Sequence, residues 1–222
     1  MADAIVHENT LEFNGKKYFR AGSSELGIGS VGEKRTPIAK ANYLEPKDHL
    51  RAAKIKIQRI GPVQIDSQRT SKKDFLASIS VAKVFKLFSV DHAYEDVRDN
   101  KLSLIFFSVE TSDMVRAIND SPAIREDLKR WGNDARVVTS GFTIVKAETA
   151  KHFASSTSAE AEVTVYGITI NPKLTVSSGG DTTVSFPRGS YFAYGLSSIE
   201  WDDKNEKHAK RVVDLKTDQP GL

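Results

Sequence analysis

The sequence predicts an α+β fold: a twisted antiparallel or mixed sheet with short helices packed around it. Three observations predict it. Period-two runs recur along the whole chain, helix signals concentrate in its first two thirds, and no linker is long enough to set off a second domain. Hydrophobic residues at 39% and charged residues at 27% suit a folded chain with a real core. At 222 residues the expected organisation is one α+β domain over 1–201 and a polar tail over 202–222.

Each element has a local reason. Leu11 and Phe13 alternate, Asn14-Gly15 is a type I′ turn signal, and Tyr18 alternates with Arg20, so residues 10–20 read as a hairpin. Residues 21–42 are Gly-rich and basic and read as loop. Pro46 can open a short helix through Leu50-Arg51-Ala52-Ala53. Residues 54–60 alternate as a strand until Gly61-Pro62, and Val63 and Ile65 can continue it. Ser71-Lys72-Lys73-Asp74 resembles a capping box, followed by a helical stripe at Val81, Val84, Phe85 and Phe88. The same stretch also alternates as a strand through Phe75, Ala77, Ile79, Val81, Phe85 and Leu87, and the pattern leaves both open.

Leu102–Val109 reads as a buried strand and 114–119 as a helical turn. Ser121-Pro122 opens a helix that closes at Gly132, a favoured residue just past a helix C-terminus. Residues 135–147 and 163–170 are strands, with 173–176, 183–186 and 191–201 as further candidates. The tract 148–162 is rich in Ser, Thr, Ala and Glu. In the tail, a short helix is possible near Val212-Val213-Leu215.

Composition removes several function classes. Without cysteine there is no disulfide, thiolate metal site, Cys nucleophile or Cys-linked lipid anchor. The longest apolar run, Leu104–Phe107, falls far short of the about 20 residues a transmembrane helix takes. The N-terminus lacks the basic and apolar regions of a signal peptide, so a cytoplasmic inactive form is expected. Gly27-Ile28-Gly29-Ser30-Val31-Gly32 matches G-x-G-x-x-G, but Pro37 stops any helix after it and no βαβ unit surrounds it. The five histidines lie at no metal-ligand spacing, and there is no Gly-x-Ser-x-Gly elbow. These features point away from an enzyme and from any cofactor or metal.

Charge is unevenly placed. Residues 34–86 hold thirteen Lys or Arg against four acids, a net of +9 in a chain of net +3. Such a segment suits phosphates of lipid or nucleic acid, and equally a solvated face. Aromatic residues do not interleave with the basic ones as a base-stacking platform requires, so no nucleic-acid partner is expected.

Residues 117–201 hold three anchors in a fixed order. Ile118-Asn119-Asp120-Ser121-Pro122-Ala123-Ile124 leads into a helix ending near Gly132-Asn133. The strand Arg136–Ile144 follows, then a polar Ser/Thr-rich segment and a second strand. The third anchor is Val184-Ser185-Phe186-Pro187-Arg188-Gly189-Ser190-Tyr191-Phe192-Ala193-Tyr194-Gly195-Leu196. In order and spacing these anchors resemble the second half of a gasdermin pore-forming domain, which implies a protein that oligomerises on membranes rich in acidic lipid and refolds two segments into β-hairpins, making a pore that kills cells. The resemblance implies acidic lipids and further copies of the chain as partners, with a membrane location once assembled. Control would come from an activating protease or a partner protein. Three departures stand: the sequence holds no Cys to match a lipidated one, 21 residues follow Trp201 where mammalian members carry a large inhibitory domain, and the first 60 residues show no match.

A spanning strand needs about 9–11 residues with one apolar face, in a closed barrel. Residues 75–90 with 102–110, and 136–148 with 161–170, can each supply such a hairpin. The membrane-inserting candidates are Phe75, Ile79, Val81, Phe85, Leu104, Phe106, Val138, Phe142, Ile144, Val163, Val165 and Ile168. The acidic-lipid candidates, chosen by charge, are Lys34, Arg35, Arg51, Lys54, Lys56, Arg59, Lys72, Lys73, Lys83 and Lys86. The alternative function is a non-enzymatic, self-assembling structural or interaction protein, such as a phage or viral component. Dependence of assembly on lipid separates the two.

Overall fold

A computed structural model describes residues 3–50, 57–82, 90–148, 150–151, 163–165, 168–170, 173–176, 182–185, 191–203 and 210–220. The fold is α+β, a mixed sheet with four short helices around it. The strands are β1 (Asp3–Val6), β2 (Thr10–Phe13), β3 (Lys16–Phe19), β4 (Ser30–Arg35), β5 (Tyr43–His49), β6 (Ile57–Ile65) and β7 (Leu102–Val109). They continue as β8 (Ala135–Lys146), β9 (Val163–Val165), β10 (Ile168–Ile170), β11 (Lys173–Val176), β12 (Thr182–Ser185), β13 (Tyr191–Trp201) and β14 (Val212–Asp218). The helices are α1 (Lys72–Ala82), α2 (Val90–Arg98), α3 (Thr111–Asn119) and α4 (Pro122–Trp131).

The main sheet runs β14-β13-β3-β2-β1-β6-β7-β8-β4-β5, and β13 also pairs with β8. That extra pairing closes β13, β3, β2, β1, β6, β7 and β8 into a seven-stranded, barrel-like ring. Aromatic rings fill it. Phe142 meets Phe106 at 4.6 Å, Tyr18 at 4.8 Å and Phe13 at 5.5 Å between centroids, mostly tilted or edge-on. Fully burying each such ring stabilises by about 1.5–3 kcal/mol. Outside the ring, Val138, Phe19, Leu26, Leu44, Tyr194 and Leu196 form a separate small cluster under β5. Most of β7, β8 and β13 is therefore buried on both faces, which explains why these strands read as nearly continuous apolar runs.

Local expectations hold where turn or cap chemistry was explicit. Asn14 and Gly15 have φ of 50° and 71°, the type I′ combination, between β2 and β3. Ser71 Oγ accepts from Asp74 N at 3.0 Å and donates to the Asp74 carboxylate at 2.7 Å, so α1 begins as the capping pattern predicts. Gly132 takes φ 58° after α4.

Four expectations are corrected. Of the helix expected from Pro46 through Ala53, residues 46–49 belong to strand β5 and 51–53 lie outside the described residues; Pro46 sits on an edge strand, where its missing N–H breaks no ladder. The loop expected over 21–42 contains β4, because Val31 is drawn into the sheet beside Val137. The single strand expected over 163–170 is two strands, β9 and β10, paired antiparallel with Val165 opposite Ile168 and Val163 opposite Ile170. In the polar tail, 212–218 is no short helix but β14, paired along β13 with Val212 and Leu215 buried against the core.

Candidate functional site

Four neighbouring strands, in the order β6-β7-β8-β13, form an antiparallel meander. Register fixes how their connections leave. Leu102, first in β7, faces Lys146, last in β8; Val63 faces Leu104, and Tyr191 faces Thr143. The connections 66–101 and 147–190 therefore leave from the same end of the sheet. The connection 110–134, with α3 and α4, leaves from the other end. The first connection carries α1 and α2, and the second carries the small hairpins β9–β10 and β11–β12.

The structure gathers some predicted inserting residues and not others. Leu104 pairs with Ile144 and Phe106 with Phe142, so these four share the ring-lining face of β7 and β8. Val138 lies in the outer cluster instead. Phe75 is buried on α1 against Phe192 and Tyr94. Ile79 and Val81 belong to α1; Val163, Val165 and Ile168 belong to β9 and β10. Phe85 lies outside the described residues.

The basic segment is not one free patch. Lys34 Nζ reaches Asp218 Oδ1 at 3.0 Å. Arg35 bridges Glu33 and Glu45, and Lys47 joins the same cross-strand network. Lys72 pairs with Glu95 at 2.9 Å, while Lys73 is exposed. Arg59 lies in β6, and Arg51, Lys54, Lys56, Lys83 and Lys86 fall outside the described residues.

Two features escaped sequence reasoning. Arg20 is fully buried, with its guanidinium carbon 3.6 Å from the centre of the Phe192 ring and one nitrogen donating to Ser78 O of α1 at 2.9 Å. Its Nε and other terminal nitrogen have no hydrogen-bond partner. Burial lowers its pKa to about 9, which still leaves it charged at neutral pH. The alternation of Tyr18 with Arg20 was a signal for this inward placement. The second feature is a clamp on β14. Asp218 accepts from Arg136 Nε at 2.6 Å and from Lys34, tying β14 to β8 and β4 across β13. Burial pushes the Asp218 carboxyl up, but the hydrogen bonds from Arg136 and Lys34 outweigh it and leave the pKa lowered. Asn119 grips the same strand: its side-chain oxygen accepts from Val212 N and its amide donates to Val212 O, both at 2.9 Å. Nothing in the local sequence around 218 signals the clamp.

At the end where the long connections leave, Asp96, Lys101, Lys146, Glu148 and Lys151 line an open cleft of about 490 Å³. Residues 27–32 run into strand β4, with no helix N-terminus following the glycines. Among the described residues no helix is long and apolar enough to cross a membrane. No protein-family model matches the chain, and no curated protein matches it.

Proposed function

We propose that this chain is a membrane-permeabilising protein that oligomerises on acidic-lipid membranes and extends two strand pairs into membrane-spanning hairpins. One observation carries the reading: β6/β7 and β8/β13 are adjacent antiparallel pairs whose long connections open at the same end of the sheet. If both connections straighten along their parent strands, they form one continuous four-stranded sheet. Residues 66–101 and 147–190 each exceed two strands of the about 9–11 residues that a tilted spanning strand requires. Pairing between copies would satisfy the backbone in lipid, where closure is required.

The resemblance of 117–201 to gasdermin pore-forming domains supports the same reading. So does the double periodicity of 71–88, which suits a helix in one state and a strand in another. The ion pairs at Arg35 and Lys72 are no obstacle: exposed pairs contribute about 0–1 kcal/mol, so lipid phosphates can compete for these cations.

Dye release from vesicles tests the reading. Leakage should require anionic lipid and fall as salt rises, because screening shortens the reach of the basic segment. No leakage from anionic vesicles at low salt, together with assembly in buffer alone, would favour a structural assembly protein instead.

A further inference from the structure

The ring has seven strands, and seven is odd. An all-antiparallel ring needs an even number, so one seam must be parallel. It falls between β1 and β6, and among the described residues that ladder has two pairs, Asp3 with Gln64 and Ala4 with Ile65. A backbone bond from Asp66 N to Ala4 O and a bond from Val6 N to the Thr70 side-chain Oγ1 complete the seam. On its other flank the N-terminal meander meets β13 at a single described pair, Phe19 with Tyr194. By contrast, the β7–β8 ladder runs unbroken from Leu102/Lys146 to Ser108/Ser140. The meander β1–β3 thus occupies both outer edges of the four-stranded unit while pairing little with either.

We propose that the outer edges of β6 and β13 are an assembly interface whose partner is a second copy of this chain, and that residues 3–19 are the intramolecular seal over it. This rests on the permeabilising reading for its setting. Strand directions support it. Along β6-β7-β8-β13 they alternate, so β13 of one copy beside β6 of the next is antiparallel. The exchange replaces a short parallel seam with an antiparallel one, the slightly more stable kind per residue, free to lengthen along the edge. The contact is head-to-tail, the type that closes into rings. Strand β14 covers β13 only from Leu196 to Trp201, so the half of β13 nearest the long connections is left to the meander. What holds the seal is side-chain burial, chiefly Leu11, Phe13 and Tyr18 inside the ring. An apolar surface, where exposing these residues costs least, is therefore the place for it to open.

The chain has no cysteine, so in an Asp3→Cys/Gln64→Cys pair, oxidised at high dilution and purified as monomer, the intended bond is the only disulfide within one chain. Oligomers on anionic vesicles are quantified by chemical cross-linking, with leakage read in parallel. The oxidised variant should yield at least tenfold fewer oligomers than its reduced form, and reduction should restore them. Oligomers of the oxidised variant at the wild-type level would overturn the seal, and no oligomers from wild type would overturn the interface. Oligomers without leakage would sink only the permeabilising reading. Hydrogen exchange in buffer supplies a membrane-free check: amides of β1–β3 should exchange as one unit at least ten times faster than those of β7 and β8. Equal protection would count against the seal.

Discussion

Arg20 and Asp218 show opposite uses of a charge in this chain. Arg20 is buried with two nitrogens unpaired, and each unmet donor costs about 1–3 kcal/mol. The remaining terminal nitrogen finds its acceptor, Ser78 O, on α1. Replacing the guanidinium with an apolar side chain of similar length, Arg20→Met, should stabilise the closed fold by about 1–2 kcal/mol. The denaturant midpoint should rise and leakage should slow; a lower midpoint would contradict the assignment. Burial lowers the Arg20 pKa to about 9, below its unfolded value, so the penalty of the buried charge eases as pH rises above 9 and stability from this site rises with pH there.

For Asp218 the sign is reversed. Its folded pKa lies below the unfolded value of about 3.9. Its contribution is therefore complete above that value and disappears as pH falls through the folded pKa. Asp218→Asn should destabilise β14 by about 2 kcal/mol at neutral pH and remove this acid-sensitive component from the pH-stability curve. An unchanged acid limb in the variant would refute the clamp. Of these two residues, the sequence hinted at Arg20 through its alternation with Tyr18. The Asp218 partners lie on β4 and β8, more than eighty positions away, so no local pattern could show them.

Among the elements, those with explicit turn or cap chemistry were legible: the Asn14-Gly15 hairpin, the Ser71 cap of α1, and the Ser121-Pro122 start of α4. Those decided by tertiary pairing were not. Strand β5 carries Pro46 yet exists because β4 offers it an edge, and β14 looks polar because only Val212 and Leu215 turn inward. Close packing between β8 and β13 depends on a missing side chain: a Cβ on Gly141 would collide with the Tyr191 ring. That ring sits where burial pushes its hydroxyl pKa up to about 12, and its oxygen accepts from Ile28 N at 3.5 Å. Gly141→Ala should cost about 1–3 kcal/mol, read as a lower thermal midpoint, and Tyr191→Phe in the same chain should not recover it, because the ring remains. Full stability in Gly141→Ala would show that the two strands are less closely packed than described.

At the scale of the molecule, the sequence showed the α+β class. Ring closure was not visible, since it depends on β13 pairing with both β3 and β8 across separations that no window spans. Nor was the shared exit of the two long connections, which only register reveals. Here Leu104, Phe106, Phe142 and Ile144, expected to face lipid, line the interior of the closed ring instead. One apolar face can serve both states, core in the single chain and lipid contact in an assembled sheet.

The central claim is that residues of α1 become a strand in the membrane. Single-cysteine variants carrying an environment-sensitive fluorophore test it most directly, because the chain has no native cysteine to interfere. Labels placed one at a time from Asp74 to Phe85 should, on anionic vesicles, report apolar surroundings with a period of two. Positions 75, 77, 79, 81 and 85 should report apolar surroundings on vesicles, while 74, 78 and 80 should report water, which for Ser78 reverses its burial in the closed fold. A period of 3.6, or no change on adding vesicles, would mean that α1 remains a helix and would contradict the account.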